Sequence, residues 1–132
     1  MGCSSTVGAG SILLAGAAVT ADARIGRHVV VMPNAVITHD DMIGDYATLC
    51  AGVTLAGGVT VGPAAYVGAS AAIRESVAIG AGATLGLGAV VVRNVPPGQT
   101  WVGNPARDLV IPSAVAVRTV RAPDSEGRCD SR

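Results

Sequence analysis

Every sixth residue from Val7 to Val91 is a branched aliphatic: Val7, Leu13, Val19, Ile25, Val31, Ile37, Ile43, Leu49, Leu55, Val61, Val67, Ile73, Ile79, Leu85 and Val91. Four residues after each comes a second slot, which holds Ser, Ala or Val in fourteen hexads and Asp41 in the remaining one. A helix would bring apolar residues round at three and four, and a half-buried strand at two, so a period of six is neither alone. One large and one small inward slot per unit fit a short strand followed by a turn. Gly8, Gly26, Gly44, Gly62 and Gly80 add a period of eighteen, so three hexads make one coil. The expected architecture is all-β: a triangular prism of parallel strands, each coil hydrogen-bonded to the next, with the aliphatic slots buried as continuous ladders.

Composition agrees with a narrow prism. Half of the residues are hydrophobic, yet the chain has no Phe, one Trp and two Tyr. A globular core of this length uses aromatic bulk, whereas a thin prism has room only for Val, Ile, Leu and Ala. The 18 glycines suit a chain in which every sixth position begins a tight turn. Net charge is zero and the charges are scattered, which leaves no electrostatic footprint for nucleic acid. No run of about 18 apolar residues is free of glycine and charge, so no membrane span is expected. Cys3, Cys50 and Cys129 lack the pair spacing of a metal site, and their odd number fits reduced thiols in a cytoplasmic protein. Met1-Gly2-Cys3-Ser4-Ser5-Thr6 matches a loose myristoylation pattern, but the hexad phase already accounts for it. The same phase explains residues 9–21 better than a signal sequence does.

The prism is expected over residues 1–107, followed by a packing segment at 108–121 and a disordered tail at 122–132. Pro96-Pro97-Gly98 cannot continue a ladder. Residues 99–102 are expected to close the end, and Gly103-Asn104-Pro105-Ala106-Arg107 to form a turn. At the other end the chain begins already in phase. Either residues 1–6 serve as the cap, or the first coil docks on another element.

Chemistry belongs on the outward turns, and most are bland. Thr38-His39-Asp40-Asp41 is not, because it sets an imidazole beside two carboxylates. Asp41 also falls in the inward slot, where a carboxylate costs stability unless it is paired or hydrogen-bonded. One rule broken inside an otherwise regular repeat is the mark of a functional site. The bland alternative is a solvated His39 with Asp41 swung outward. His28 falls on a different edge and reads as surface. Gly57 follows His39 by eighteen residues, so it belongs one coil up on the same edge.

These residues carry a resemblance. The repeat resembles the left-handed β-helix of the hexapeptide-repeat acyltransferases. Ile-Thr-His-Asp-Asp-Met-Ile-Gly-Asp from Ile37, Ala-Gly-Val-Thr-Leu-Ala-Gly-Gly-Val-Thr-Val-Gly from Ala51 and Val-Gly-Asn-Pro-Ala-Arg from Val102 resemble its NeuD/PglD-like branch. That branch comprises sialic acid O-acetyltransferases and amino-sugar N-acetyltransferases. The resemblance spans residues 7–107. It implies a homotrimer with sites between neighbouring prisms, acetyl-CoA as co-substrate, no metal, and a small-molecule acceptor. By similarity His39 is the general base, Asp40 its acidic partner, and Gly57 the backbone donor to the oxyanion. Glu75 and Arg93 would line the pantetheine path, and Gly103, Asn104, Pro105 and Arg107 the adenine end. Asp41 and Thr48 are expected on the substrate side, with Thr48 standing where many relatives carry a second histidine. Many relatives also have an N-terminal domain that helps bind the nucleotide sugar, so the expectation here is either a separated acyltransferase domain or a small acceptor that is not nucleotide-linked.

Other classes fit less well. A γ-type carbonic anhydrase needs three histidines for zinc, and the chain has two. The threonines do not form the flat rank that an ice-binding face requires. A non-catalytic trimeric scaffold remains open as the alternative to an acetyltransferase. Cys50 is a conceivable nucleophile, but the sequence puts no base beside it.

Overall fold

The computed structural model describes Gly2 and residues 4–109. The expected packing segment beyond Leu109, the tail, Cys3 and Cys129 lie outside the described residues. Within them the chain winds as two-residue strands joined by four-residue turns. Thr6–Val7, Arg24–Ile25, Met42–Ile43, Thr60–Val61 and Ala78–Ile79 form the first face. Ile12–Leu13, Val30–Val31, Thr48–Leu49, Tyr66–Val67 and Thr84–Leu85 form the second. Ala18–Val19, Val36–Ile37, Thr54–Leu55, Ala72–Ile73 and Val90–Val91 form the third. Pairing within each face is parallel with a register of eighteen residues, as in Val19↔Ile37 and Ile37↔Leu55. No helix occurs among the described residues.

The register places like on like. Ile37, Leu49, Leu55, Ile79 and Leu85 are fully buried, and the small slots Ala35, Ala47, Val53 and Val59 close the corners beside them. Cutting one of these side chains back to Ala costs about 2–5 kcal/mol, because the coils above and below cannot collapse into the gap. The eighteen-residue glycines stack along one edge and are required there by close approach rather than by turn dihedrals. None of Gly8, Gly26, Gly44, Gly62 and Gly80 has a positive φ. A Cβ on Gly44 would instead lie 2.6 Å from Pro63 N, and one on Gly62 would lie 2.6 Å from Ala81 N. The edge between the first and second faces is glycine-rich because successive coils touch there backbone to backbone. The left-handed turn position comes two residues later and is filled by His28 and Tyr46, among others.

The two ends differ. Thr6–Val7 continues the ladder, and Val7 and Leu13 stay only partly buried. Residues 4–7 therefore extend the prism rather than cap it. At the far end Val95 makes a parallel bridge to Ile79, and the parallel ladder resumes beyond Pro96-Pro97-Gly98, which were expected to end it. Thr100–Gly103 then pairs with Thr84–Leu85 and folds back antiparallel onto Ala106–Asp108, with Gly103 opposite Ala106. Trp101 lies over Leu85, 7% exposed, and its indole N–H donates to Gln99 Oε1 at 2.8 Å. That is an end cap for the apolar ladder.

Candidate functional site

Three turns stack along the edge between the third and first faces. His39 lies in the lowest, Gly57 one coil up, and Glu75 and Ser76 one coil further. Backbone bonds hold the stack: Gly58 N–H donates to His39 O at 2.9 Å, and Ser76 N–H to Gly57 O at 3.0 Å. Together with Asp40, Ala56 and Gly58 these residues line an open groove of about 580 Å³.

Inside the groove the imidazole of His39 lies against the backbone of Gly57. A Cβ on Gly57 would sit 2.3 Å from His39 Cε1 and 2.5 Å from Nε2, so no larger residue fits while the ring stays put. The glycine is required by close approach, since its φ is not positive. Among the described residues the Gly57 N–H makes no backbone or side-chain hydrogen bond. It is an unused donor beside an imidazole. His39 Nδ1 faces Asp40 Oδ2 at 3.2 Å, with both side chains about two-thirds exposed (69% and 67%). An exposed pair like this adds little stability, but it fixes the ring. With Nδ1–H directed at the carboxylate, Nε2 keeps its lone pair and can accept a proton. Asp40 takes the left-handed position of the turn, φ 62°, a conformation that Asp and Asn tolerate better than most residues.

Asp41 is placed differently from the expected substrate contact. It is fully buried, and both oxygens are engaged: Oδ2 accepts Thr38 N–H at 2.8 Å and Oδ1 accepts Val59 N–H at 2.8 Å. It lies beneath the groove, where no substrate reaches it. Burial pushes its carboxyl up to about 6, while the amides of Val59 and Thr38 and the nearby His39 oppose that shift.

The remaining expected site residues are dispersed. Glu75 lines the groove. Arg93 lies further up the same edge, its guanidinium 5.3 Å from the Trp101 ring centre. Thr48 is on the second face, across the prism from His39. Gly103, Asn104, Pro105 and Arg107 form the exposed hairpin at the far end of that same face. Within one chain, neither Thr48 nor the hairpin joins the groove. Cys50 is buried on the edge between the second and third faces, away from His39. Thr38 was assigned no role by sequence, although Thr-x-x-Asp spacing signals a side chain reaching back to a turn amide.

Residues 22–57, which include both His39 and Gly57, match the bacterial transferase hexapeptide (six repeats) family. That stretch carries the hexapeptide repeat, and the fold is the left-handed β-helix of the hexapeptide transferases. The acetyltransferase domain of PglB from Neisseria gonorrhoeae superposes with a TM-score of 0.81 at 33% identity, over 82% of this chain and 53% of that one. That domain has also been solved with acetyl coenzyme A. PerB from Caulobacter crescentus, in complex with CoA and GDP-perosamine, gives 0.80 at 37% identity, over 81% of this chain and 52% of that one. The serine acetyltransferase of Neisseria gonorrhoeae gives 0.63 at 33% identity, over 73% and 42%. The β-helix thus spans about half the length of the first two relatives. A comparison with curated protein sequences found no match.

Proposed function

We propose that this β-helix is a CoA-dependent acetyltransferase acting on an amine or hydroxyl of a sugar, such as an amino sugar, a sialic-acid-like sugar or a sugar nucleotide, or of a small metabolite. The observation that carries the proposal is the imidazole of His39 packed on Gly57 in an open groove, with Nε2 turned toward a glycine whose N–H has no partner among the described residues. The acceptor amine or hydroxyl attacks the thioester carbonyl of acetyl-CoA, and His39 Nε2 takes the proton that this nucleophile loses. The carbonyl oxygen becomes an oxyanion and accepts the Gly57 N–H. The tetrahedral carbon then expels the CoA thiolate, which recovers the proton from the imidazolium. Asp40 steadies that imidazolium through Nδ1. No acyl-enzyme is needed, and the buried Cys50 is not positioned to form one.

Acceptor class is supported by the relatives. PerB, solved with GDP-perosamine, superposes more closely than the serine acetyltransferase does, at TM-scores of 0.80 against 0.63. A homotrimer is part of the proposal. The groove is open in a single chain, and the second face with Thr48 and the Gly103–Arg107 hairpin is where a neighbour would add walls for acceptor and adenine. Glu75 and Arg93 would border the pantetheine arm. Acetyl-CoA as donor implies a cytoplasmic setting.

The experiment is a thermal-shift titration with acetyl-CoA against free CoA, paired with assay of CoA release. A ligand at about 100 times its dissociation constant should add ~2.7 kcal/mol of stability. A saturable shift, with CoA release lost in His39→Ala, supports the enzyme. A trimer that shows no shift and no release would be the scaffold instead.

A further inference from the structure

From Gly2 to Arg74, the first residue of each turn donates its backbone N–H to a carbonyl one coil up, as Thr20 does to Ile37, Ala56 to Ile73 and Arg74 to Val91. Among the described residues Thr38 is the exception. Its N–H turns inward to Asp41 Oδ2. Its hydroxyl takes the carbonyl that the amide has left, donating to Leu55 O at 2.9 Å. The second Asp41 oxygen accepts Val59 N–H, directly after Gly57-Gly58. In most turns the small-slot amide closes its own turn, as Val53 does to Cys50 O and Val77 to Arg74 O, while Ala23 and Val29 reach back one coil to serine hydroxyls. Val59 reaches back one coil to Asp41 instead. One enclosed carboxylate therefore braces the His39 turn and ties the Gly57 turn to it.

Ser5 and Ser11 occupy the same slot and show a cheaper way to bridge coils. Ser5 Oγ accepts Ala23 N–H at 3.2 Å and Ser11 Oγ accepts Val29 N–H at 2.9 Å. Each hydroxyl also donates to a turn carbonyl one coil up. Both turns keep their ladder bonds, Gly2 N–H to Val19 O and Gly8 N–H to Ile25 O. A carboxylate is not needed to join coils here, and its burial is unfavourable. It does what serine does not: it takes the Thr38 amide out of the ladder, in the turn that carries the imidazole. A locally costly feature beside a groove, inside a repeat that tolerates Ala or Val, points to selection for function over stability.

Resting on the acyl-transfer reading above, we infer that Asp41 and Thr38 are positioning residues, which rebuild the ladder so that the His39 imidazole is held against the Gly57 amide. Base and oxyanion donor sit on different coils, so their spacing depends on this tie. A displacement of about 1 Å at a reacting centre can cost ~10² in rate.

Asp41→Ala, Asp41→Ser and Thr38→Val test it. Asp41→Ala restores the repeat, so Tm should hold or rise while kcat falls at least about tenfold, with acetyl-CoA affinity unchanged. Asp41→Ser keeps a bridge to Val59 but not the hold on Thr38, and should fall between. Thr38→Val should lower kcat with KM for acetyl-CoA unchanged. An Asp41→Ala kcat within about threefold of the parent, measured on folded protein saturated with acetyl-CoA, overturns the inference whatever its Tm. A crystal structure of Asp41→Ala tests the tie independently of turnover. Thr38 N–H returned to Leu55 O with His39 displaced from Gly57 supports it, and an unchanged turn overturns it. If the parent protein releases no CoA, the acyl-transfer reading fails, and that crystal structure still decides whether Asp41 positions His39.

Discussion

The prism carries two histidines on two edges, and each packs against a glycine of a neighbouring coil. On the edge between the first and second faces, a Cβ on Gly10 would sit 2.3 Å from His28 Nδ1, and the ring stacks on Tyr46 with centroids 5.2 Å apart at 16°. On the edge between the third and first faces, His39 lies on Gly57 and faces Asp40. Both side chains suit an exposed turn. The backbone beneath them separates the two. Under His28 the ladder is regular, with Gly26 N–H bonded to Ile43 O. Under His39 the ladder is broken at Thr38 and rebuilt through a buried carboxylate. The glycines differ as well: Gly10 is in the left-handed region at φ 79°, whereas Gly57 is not. Gly10 belongs to the turn, and Gly57 belongs to its histidine.

That contrast can be broken most sharply by exchanging each histidine for alanine. His39→Ala should lower turnover by at least ~10² with little change in acetyl-CoA affinity, as expected for loss of a general base. His28→Ala should leave turnover within about twofold. Equal effects of the two would dissolve the distinction. The next largest effect is expected from the glycines. Gly57→Ala drives a methyl group into the imidazole, so kcat should fall about 10–100-fold with little change in Tm, because the exposed ring can swing away. Gly10→Ala should do the reverse: activity retained, and stability lowered by about 1 kcal/mol from strain at positive φ. Denaturation and steady-state assays on the pair would reveal a swap of these outcomes.

Asp40→Asn sharpens the account of the His39 edge. Asn tolerates the left-handed turn position, so stability should change by less than about 0.5 kcal/mol. Turnover should drop about tenfold as the imidazolium loses its carboxylate. The smallest effect concerns Asp41 and pH. Its carboxyl has a folded value of about 6 against 3.8 for the free group. Between those values the folded chain holds the extra proton, so this group's contribution to stability falls as pH rises from about 4 to about 6 and is level above. Asp41→Ala removes that decline. The Tm advantage of the variant over the parent should therefore be larger near pH 7.5 than near pH 4, and the opposite trend in melting curves would contradict the burial argument.

Much of this was legible in the sequence because a hexad repeat leaves the chain few alternatives. The aliphatic period required parallel strands in register at eighteen residues, and the same arithmetic set Gly57 one coil above His39. The odd carboxylate at position 41 was visible as an exception for the same reason. Its role was not visible. Whether a side chain in an inward slot turns out to solvent or stays enclosed depends on which amides face it, and those belong to Thr38 in its own turn and Val59 a coil away. Nor could spacing show that the eighteen-residue glycines answer to coil-to-coil contact rather than to turn dihedrals. It could not show either that the Gly103–Arg107 hairpin, beyond the last hexad, lies across the prism from the histidine. Repeat periodicity determines which residues share a ladder, since every coil obeys one rule. Only the tertiary structure decides what happens where the rule is broken, since there the hydrogen bonds are set by neighbours distant in sequence.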